Sequence, residues 1–517
     1  MTEKPARRTS EDITHKEVRS RTFKAVGSMF GRQLVLRLLS FAGVLILARL
    51  LAPQDFGIFA IANFVLMASN AFISSGGGGA ALVRQEDPPS EGEYGAGLLV
   101  QLSMAVAIAL LVAALAPFIV DFYELSARHT VLFHVTAGAL VVSSLKILPT
   151  VRLQRAIRHD LIALSDIAEY VVFLAVTLAL ALSGAGVWSL IAGMAARALA
   201  GVLTLWFLSG KAVVARIDWS ALRGIASFGL ILGLTNLAHL GDRAIIPLMM
   251  GAMLGVGAAG VASLARTVLE AVSIQPLALL ATVQFRLYAR VQGDADAMAR
   301  LLRHFLFVSG VCFLPVLAGL SIFASRWVPF LFNEDWQGLQ TLVPVLAIAF
   351  SVRLVVMPLQ QVLKALGKVK IQLYGAIVYI LILAGITAGL SGSMGLVAYA
   401  LGVFCADGLL LVVFIYTLRR DVSWRVLNAL QVPVLACAVA VLAVAVLEPR
   451  LPEGGLALVL LGAVFCVVYL GLVLCLAGSR LALYIEGVAA SLGSRSRTLQ
   501  QVAHGLATYA RQCDLRH

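Results

Sequence analysis

Charged residues are scarce in this chain. Asp, Glu, Lys and Arg together make up 13% of its 517 residues, about half of the roughly 25% that is usual in soluble domains. Hydrophobic residues make up 60%, and apolar runs close to the length of about 20 residues that crosses a bilayer recur along the whole chain. This composition excludes an ordinary soluble protein and predicts a polytopic membrane protein.

Cysteine is also rare, and several motifs are missing. The six cysteines are scattered, without the spacing of a metal site or a CxxC pair, so we expect no disulfide and no bound metal. No GxxxxGK[ST] loop is present, which argues against a pump driven directly by nucleotide hydrolysis. The polar N-terminus lacks an apolar core followed by a cleavage site, so we expect no signal peptide. We also expect no cofactor.

The apolar runs contain Gly and Pro and are long, which is typical of membrane helices rather than of barrel strands. The sequence therefore predicts an all-α polytopic membrane protein with about 14 transmembrane helices. The approximate spans are 30–51, 56–75, 95–119, 129–150, 161–182, 187–208, 226–250, 257–283, 304–324, 339–363, 371–390, 394–417, 430–447 and 455–477.

The basic residues of the loops predict the orientation. With the N-terminus in the cytoplasm, 29 of the 40 Lys and Arg residues fall in cytoplasmic segments and four on the opposite side, which is a strong positive-inside bias. Because these bases are spread over eight short segments, the net charge of +13 does not indicate a nucleic-acid-binding patch. We predict that both termini are cytoplasmic.

The first half of the chain resembles the second half at four places, with offsets between 203 and 212. The matched segments are 50–62 with 253–265, 117–124 with 329–334, 153–156 with 359–362, and 183–193 with 391–402. Gly57 falls on Gly260 in the first of these pairs. Since each copy contains six spans, both copies have the same orientation, and an axis along the membrane normal would relate them.

This repeat predicts two pseudo-symmetric six-helix lobes plus two C-terminal helices. The predicted organisation is a cytoplasmic N-terminal segment (1–29), an N-lobe (30–208), a cytoplasmic linker (209–225), a C-lobe (226–417), the last two helices (418–477) and a basic cytoplasmic tail (478–517).

Charged side chains inside the predicted spans are costly, at roughly 2.5–3.5 kcal/mol each at a helix centre. Arg37 lies at intermediate depth, whereas Asp166 and Glu169 lie in the first turns of their span, where we expect exposure. Deep charges must be paired with one another or face a hydrated interior. The deep set is Lys146, Arg197, Asp242, Arg243, Arg266, Glu270, Arg353 and Asp407.

Sequence spacing predicts how some of these charges are paired. Arg266 and Glu270 are four residues apart, so they can form an ion pair on their own helix. Asp242 and Arg243 are adjacent and point about 100° apart on a helix. We therefore expect Asp242 and Arg243 to face different partners.

The repeat also relates deep charges of the two halves. Lys146 maps onto Arg353, and Arg197 maps onto Asp407. Equivalent positions should face each other across the central axis, so we hypothesise that Lys146 and Arg353 form a basic pair beside a shared cavity. Five bases against three acids favour a cavity that attracts anions; the alternative is that the charges neutralise one another within the bundle.

Several segments resemble the polysaccharide-export branch of the multidrug/oligosaccharidyl-lipid/polysaccharide exporter superfamily, the Wzx-type flippases. The resemblance extends from about residue 25 to 420, and Asp242 lies where such proteins usually carry an acid. The segments that carry it are ARLLAPQDFGIFAIA (48–62), GGGGAALVRQED (76–87), LQRAIRHDLIALSDI (153–167), GAGVWSLIA (184–192), DWSALRGIASFG (218–229), GDRAIIPLMMGAMLG (241–255) and FLFNEDWQGLQTLVPVLAI (330–348).

This resemblance implies two lobes around a central cavity that opens alternately to each side. It implies a flippase or exporter that moves an undecaprenyl-pyrophosphate-linked oligosaccharide repeat unit from the inner to the outer leaflet of the bacterial inner membrane. The product would serve the synthesis of surface polysaccharide, either lipopolysaccharide or exopolysaccharide. The partners would be that lipid-linked substrate and the bilayer, and could include polymerase and export machinery.

A pyrophosphate that crosses a low-dielectric region needs cations along its path, and arginine suits phosphate oxygens especially well. We therefore expect a cationic substrate-binding cavity and a set of coupling or charge-balancing acids. The expected cations are Arg37, Lys146, Arg197, Arg266 and Arg353. The expected acids are Asp242, Glu270 and Asp407.

Two other functions compete with this interpretation. A cation-coupled multidrug antiporter of the same superfamily would favour a cavity richer in acids and aromatics. A membrane-bound polymerase or glycosyltransferase would need catalytic groups in a sizeable outer loop, but the longest one, about 325–338, contains only Glu334 and Asp335 as acids. We therefore expect a transporter and not an enzyme.

Overall fold

The structure is a computed structural model that describes most of the apolar part of the chain. The described residues are 39–76, 82, 89–156, 158–210, 217–220, 222, 240–419, 422, 424–450 and 454–491. Within them, the side chains of 74–76, 159, 279, 282, 424–426 and 478–491 are not described. Arg37, the predicted N-terminal segment, most of the linker and the end of the tail lie outside the described residues.

All regular secondary structure within the described residues is helical. A short apolar helix, α1 (Leu39–Leu50), comes first. The others are α2 (Pro53–Gly76), α3 (Glu91–Phe122), α4 (Thr130–Ser144), α5 (Ile147–Arg155), α6 (His159–Leu182), α7 (Val187–Ser209), α8 (Gly241–Ala244), α9 (Gly251–Leu254), α10 (Val256–Leu269), α11 (Gln275–Arg290), α12 (Ala295–Ile322), α13 (Ala324–Leu331), α14 (Gly338–Ala365), α15 (Val369–Met394), α16 (Val397–Leu418), α17 (Gln431–Leu447) and α18 (Gly455–Ser491).

The described residues contain twelve helical segments that are long and apolar enough to cross a membrane. Each of the twelve overlaps one of the fourteen predicted spans. The first and seventh predicted spans are described only in their final parts, as α1 and as the short helices that begin at Gly241. The prediction of an all-helical protein with about fourteen spans is therefore confirmed.

The helices of each half pack mainly on one another. In the first half α6 packs against α7, and α4 packs against both α3 and α7. In the second half α16 packs against α14 and α15, and α12 packs against α14. The last helices, α17 and α18, pack on each other and against α12. The most extensive packing between the two halves is that of α2 against α10.

The crossing of α2 and α10 is reciprocal and depends on two glycines. A Cβ atom on Gly57 would lie 1.9 Å from the carbonyl oxygen of Val256, and one on Gly260 would lie 1.9 Å from that of Pro53. An offset of 203 converts Pro53 into Val256 and Gly57 into Gly260, so each contact is the image of the other. A reciprocal contact of this kind is the signature of a two-fold relation, in agreement with the predicted repeat.

A second matched pair of glycines begins equivalent helices. Gly186, just before α7, has φ 56° and ψ −135°, and Gly395, two residues before α16, has φ 54° and ψ −130°. This region of conformational space is accessible essentially to glycine alone. The matched segments 183–193 and 391–402 therefore place a glycine in the same unusual conformation before their helices.

Further contacts join the two halves at the end where α2 and α10 begin. Arg49 donates hydrogen bonds to the carbonyl oxygens of Leu331 (2.7 Å) and Phe330 (2.5 Å), and Asn333 donates to the carbonyl of Arg49 (2.9 Å). The ring of Phe56 meets that of Trp336 edge to face, with centroids 5.2 Å apart. We call this side of the bundle the closed end.

Candidate functional site

Two π-helical turns, each associated with a proline, support the charged residues of the second half. Asp242 and Arg243 lie in α8, directly before the π turn Ile245–Met250, which contains Pro247. Glu270 begins the π turn Glu270–Ile274, which ends two residues before Pro276. Proline has no N–H to donate and crowds the carbonyl four residues earlier, so the regular α-helical ladder cannot continue through it. Such bulges often occur at functional sites.

Arg266 is the centre of a buried cluster in the second half. Its guanidinium lies 2.6 Å from Asp242 Oδ2 and 2.7 Å from Glu270 Oε1, and it donates to the hydroxyl of Tyr399 over 3.2 Å. Its side chain is only 10% exposed. The predicted ion pair between Arg266 and Glu270 is confirmed, and Asp242 is a second carboxylate partner.

Arg353 extends this cluster toward α15 and α16. Its Nε lies 2.9 Å from Asp407 Oδ2, and its Nη1 lies 3.9 Å from Asp242 Oδ2. It also donates a hydrogen bond to the hydroxyl of Tyr379, which in turn donates to Asp242 Oδ1 over 3.4 Å. Asp242 therefore links the two buried arginines.

Arg243 points away from its neighbour in sequence. Its Nη2 lies 3.6 Å from Glu270 Oε2, whereas Asp242 pairs with Arg266 and Arg353. The prediction that the adjacent acid and base face different partners is confirmed. We refer to Asp242, Arg243, Arg266, Glu270, Arg353 and Asp407 together as the C-terminal cluster.

The first half contains a smaller cluster around Glu169. Lys146 Nζ lies 2.8 Å from Glu169 Oε1, and Arg197 Nε lies 3.4 Å from Glu169 Oε2. We refer to these three residues as the N-terminal cluster. The prediction that Glu169 is exposed is wrong, because this residue is only 4% exposed. It lies ten residues into α6, which is about 15 Å along the helix axis.

Gly201 of α7 makes the burial of Glu169 possible. A Cβ atom at this position would lie 2.2 Å from Glu169 Oε1 and 2.7 Å from the Cδ atom of Lys146. The absence of a side chain on α7 therefore leaves the slot in which the carboxylate and the ammonium group meet. Nothing in the spacing of charges indicated this slot, because it depends on which face of α7 is turned toward α6.

Three cavities lie beside the two clusters. One of about 340 Å³ is lined by the N-terminal cluster. A second, of about 130 Å³, is lined by Arg243, Arg266 and Glu270. Both are also lined by Asn63 and Met67 of α2. The first two cavities therefore lie on a common wall between the halves of the protein.

The third cavity, of about 280 Å³, lies within the second half and is lined by Asp242, Arg353, Tyr379 and Asp407. Lys146 does not line this cavity; it lines the one of about 340 Å³. The structure thus places Lys146 and Arg353 at different cavities, because a carboxylate of its own half holds each base. Our hypothesis that Lys146 and Arg353 form a basic pair beside a shared cavity is therefore wrong.

Exposure separates the cations into two groups. The side chains of Arg197 and Arg243 are 51% and 50% exposed, whereas those of Arg266 and Arg353 are 10% and 14% exposed. The shortest ion contacts of the exposed pair are 3.4 and 3.6 Å, whereas those of the buried pair are 2.6 and 2.9 Å. Arg197 and Arg243 are therefore the cations that can reach a ligand without breaking a short ion pair.

Arg243 belongs to the predicted deep charges but not to the expected binding set. The predicted deep set contains five bases and three acids, whereas Glu169 is a fourth buried acid in the described clusters. The combined charge of the clusters is therefore +1, all of it in the N-terminal cluster. Lys146, at 27% exposure, is intermediate.

Comparisons with known proteins agree with this architecture. A sequence profile of the family described as polysaccharide biosynthesis protein matches residues 46–341. The lipopolysaccharide biosynthesis protein WzxC of Escherichia coli (strain K12) is 27% identical over 124 residues, and this alignment covers 24% of the present chain and 25% of WzxC. The matched segment thus spans about a quarter of that relative's length.

Two solved structures share the fold. Lipid II flippase MurJ, in an inward closed conformation, superposes with a TM-score of 0.69 and 12% identity over 85% of this chain and 96% of MurJ. An inward-facing multidrug resistance transporter of the MATE family, from the MOP superfamily, gives a TM-score of 0.57 with 12% identity over 74% of this chain and 94% of its own. The two superpositions show that this chain shares its helical fold with both structures. The family profile covers more than half of the sequence, and the chain therefore belongs to the polysaccharide biosynthesis protein family.

Proposed function

We propose that this protein flips an undecaprenyl-pyrophosphate-linked oligosaccharide repeat unit from the inner to the outer leaflet of the bacterial inner membrane. The flipped unit would be used for surface polysaccharide. The family match and the partial similarity to WzxC support a role in polysaccharide export. The choice of a pyrophosphate-linked substrate depends on the chemistry of the cavities.

The observation that carries the proposal is the placement of Arg197 and Arg243. Each of the two clusters contributes one half-exposed arginine, and the cavities that these arginines line share Asn63 and Met67. A pyrophosphate offers several anionic oxygens, and the forked guanidinium donates paired hydrogen bonds to such oxygens. Two arginines from opposite halves could therefore hold one diphosphate between them while the sugar occupies the adjoining space.

An apolar cavity of about 510 Å³ suits the lipid part of such a substrate. It is lined by side chains of α1, α10, α12, α13 and α18, among them Phe41, Val268, Val311 and Phe465. Val268 and Arg266 lie two residues apart on α10 and point to nearly opposite faces, so α10 separates the apolar cavity from the C-terminal cluster. A polyprenyl chain could occupy this cavity while the head group is held by arginines.

The loop charges and the closed end together suggest from which side of the membrane the substrate enters the cavities. The positive-inside bias assigns the closed end to the outer side of the membrane, so the cavities would receive substrate from the cytoplasmic side. In this proposal residues 30–208 and 226–417 form the two lobes, both termini are cytoplasmic, and polymerase and export proteins receive the product. The acids Asp242, Glu270 and Asp407 hold the buried arginines in place.

The main competing function is a cation-coupled multidrug antiporter, which shares the fold. A cationic drug would be repelled by the N-terminal cluster, whose net charge is +1. The two functions therefore predict opposite charges for the transported compound.

Deletion of the gene in its native host tests the proposal. We expect a polyprenyl-linked oligosaccharide to accumulate in the inner leaflet and surface polysaccharide to be lost, with no change in drug sensitivity. The wild-type gene should restore export, the variant R197A/R243A should not, and the matched control Arg128→Ala, an exposed arginine outside the three cavities, should restore it fully. Drug sensitivity with normal surface polysaccharide would instead establish the antiporter.

A further inference from the structure

The two half-exposed arginines are held by glutamates in the same way. Glu169 binds Lys146 through Oε1 at 2.8 Å and Arg197 through Oε2 at 3.4 Å. Glu270 likewise binds Arg266 through Oε1 at 2.7 Å and Arg243 through Oε2 at 3.6 Å. In each half, the glutamate thus makes its shorter contact with the less exposed base and its longer contact with the accessible arginine.

This parallel is not explained by the internal repeat. The offsets of 203 to 212 place the counterpart of Glu169 within 372–381 and that of Glu270 within 58–67. Neither segment contains an acidic residue. The same three-group arrangement is therefore built from unrelated positions in the two halves. A common physical requirement accounts for this better than inheritance does.

We propose that Glu169 and Glu270 are internal competitors of the phosphate ligand. In the empty protein each carboxylate forms an ion pair with its accessible arginine. When a diphosphate arrives, its oxygens replace the carboxylate on Arg197 and Arg243, and each glutamate stays bound to its less exposed base. This inference rests on the proposed function and adds two residues that set the affinity for the head group.

The arrangement meets two opposing demands on a transporter site. Without a carboxylate, an arginine in a partly dehydrated cavity would be an uncompensated charge, which is costly. It would also hold an anion tightly, and most differences in affinity appear as slower dissociation. A site along a transport path must bind its ligand strongly enough to admit it and weakly enough to release it. A carboxylate held beside the arginine lowers the affinity of the site for the anion. When the anion dissociates, the carboxylate forms the ion pair with the arginine again.

The test measures binding of inorganic pyrophosphate to the purified full-length protein in lipid nanodiscs. Glu169→Gln keeps the size and one hydrogen-bond acceptor for Lys146 but removes the competing charge. We expect its affinity for pyrophosphate to rise about tenfold, with slower dissociation, while its flipping of lipid-linked substrate slows. Glu270→Gln should act in the same direction. The matched control is Glu448→Gln, which removes a carboxylate partner of Arg326. Neither residue lines the three cavities beside the clusters, so this variant should leave pyrophosphate binding unchanged.

A double-mutant cycle separates competition from a general structural effect. If Glu169 competes for Arg197, the gain from Glu169→Gln should disappear in the R197A background. A gain that persists without Arg197, or unchanged or weaker binding by the folded Glu169→Gln protein, would overturn the inference. Should Glu169→Gln not fold, Glu169→Asp withdraws the carboxylate by one methylene, and we expect a smaller rise in affinity; no rise would count against the inference.

Failure of the inference can be told apart from failure of the proposed function. If the wild-type protein binds pyrophosphate through Arg197 and Arg243 but Glu169→Gln binds no tighter, only the inference fails. If neither the wild-type protein nor the glutamate variants bind pyrophosphate, the inference and the proposed pyrophosphate site both fail.

Discussion

In the first half of the chain one carboxylate, Glu169, faces two bases, whereas in the C-terminal cluster three carboxylates face three arginines. The C-terminal cluster also includes the hydroxyl groups of Tyr379 and Tyr399 as partners of its arginines. Its charges therefore cancel and most of its donors are occupied. The N-terminal cluster keeps a surplus positive charge and an arginine that is half exposed.

This difference indicates that the C-terminal cluster mainly stabilises the fold, whereas the N-terminal cluster keeps a cation available to a ligand. A buried network whose members all have partners fixes the helices that carry it, and removing one member leaves an uncompensated charge. A partly hydrated cation with one long ion contact contributes little to stability but remains available to a ligand. Within the C-terminal cluster, only Arg243 is a partly hydrated cation with one long ion contact. Each of the two clusters therefore offers one available arginine.

Replacing Arg266 should give the largest effect on stability. Arg266→Ala leaves Asp242 without its shortest ion contact and Glu270 with only the 3.6 Å contact to Arg243. We expect a loss of about 3–5 kcal/mol of unfolding free energy, visible as a much lower melting temperature in detergent. The matched variant in the other half, Arg197→Ala, should melt close to the wild type. Equal melting temperatures for the two variants would remove the distinction between the clusters.

The glycine crossing should respond equally in both halves. Gly57→Ala and Gly260→Ala each place a methyl group 1.9 Å from a carbonyl oxygen of the opposite helix, so the helices must separate. We expect each variant to lose about 1–3 kcal/mol of unfolding free energy and to transport less, in assays of thermal unfolding and of lipid flipping. Gly138→Ala is the control, because nothing lies within 4 Å of its added methyl group. A large difference between Gly57→Ala and Gly260→Ala would argue against a two-fold crossing.

The smallest effect on stability is expected for the two accessible arginines. Arg197→Ala and Arg243→Ala should each change the free energy of unfolding by no more than about 1 kcal/mol, because both side chains are half exposed and their ion contacts are long. Each should nevertheless weaken pyrophosphate binding at least tenfold, since a hydrogen bond to a charged group contributes about 1.5–3 kcal/mol. Isothermal titration calorimetry of the protein in nanodiscs measures the affinity of each variant for pyrophosphate. A variant that melts early but binds normally would place its arginine with the structural charges.

The sequence predicts the helical class, the spans and the pair Arg266–Glu270 because these follow from periodicity along a single segment. It also places Asp242 and Arg243 on different partners, since adjacent helical residues point about 100° apart. These features need no knowledge of which helices are neighbours. The repeat can also be detected in the sequence, because glycines such as Gly57 and Gly260 occupy matched positions in the two halves.

Contacts between distant helices were not predictable in this way. The burial of Glu169 depends on the absence of a side chain at Gly201 of α7, and the tyrosines that complete the C-terminal cluster come from α15 and α16. The repeat suggested that Lys146 and Arg353 face each other, but local carboxylates determine where each base lies. The position of a charge along its helix could be estimated, whereas the direction of its side chain required the neighbouring helices.

The sharing of Asn63 and Met67 by two cavities has a mechanical consequence. Both residues belong to α2, which is pinned against α10 at Gly57, so α2 can act as a lever with its fulcrum at that crossing. Asn63 lies about 9 Å beyond the fulcrum and Asn70 about 20 Å beyond it. A tilt of about 10° would then displace Asn63 by about 1.5 Å and Asn70 by more than twice as much, on the 1.5 Å rise per residue of a helix. One small rotation of a single helix would therefore reshape both cavities together, and most strongly at the end farthest from the crossing.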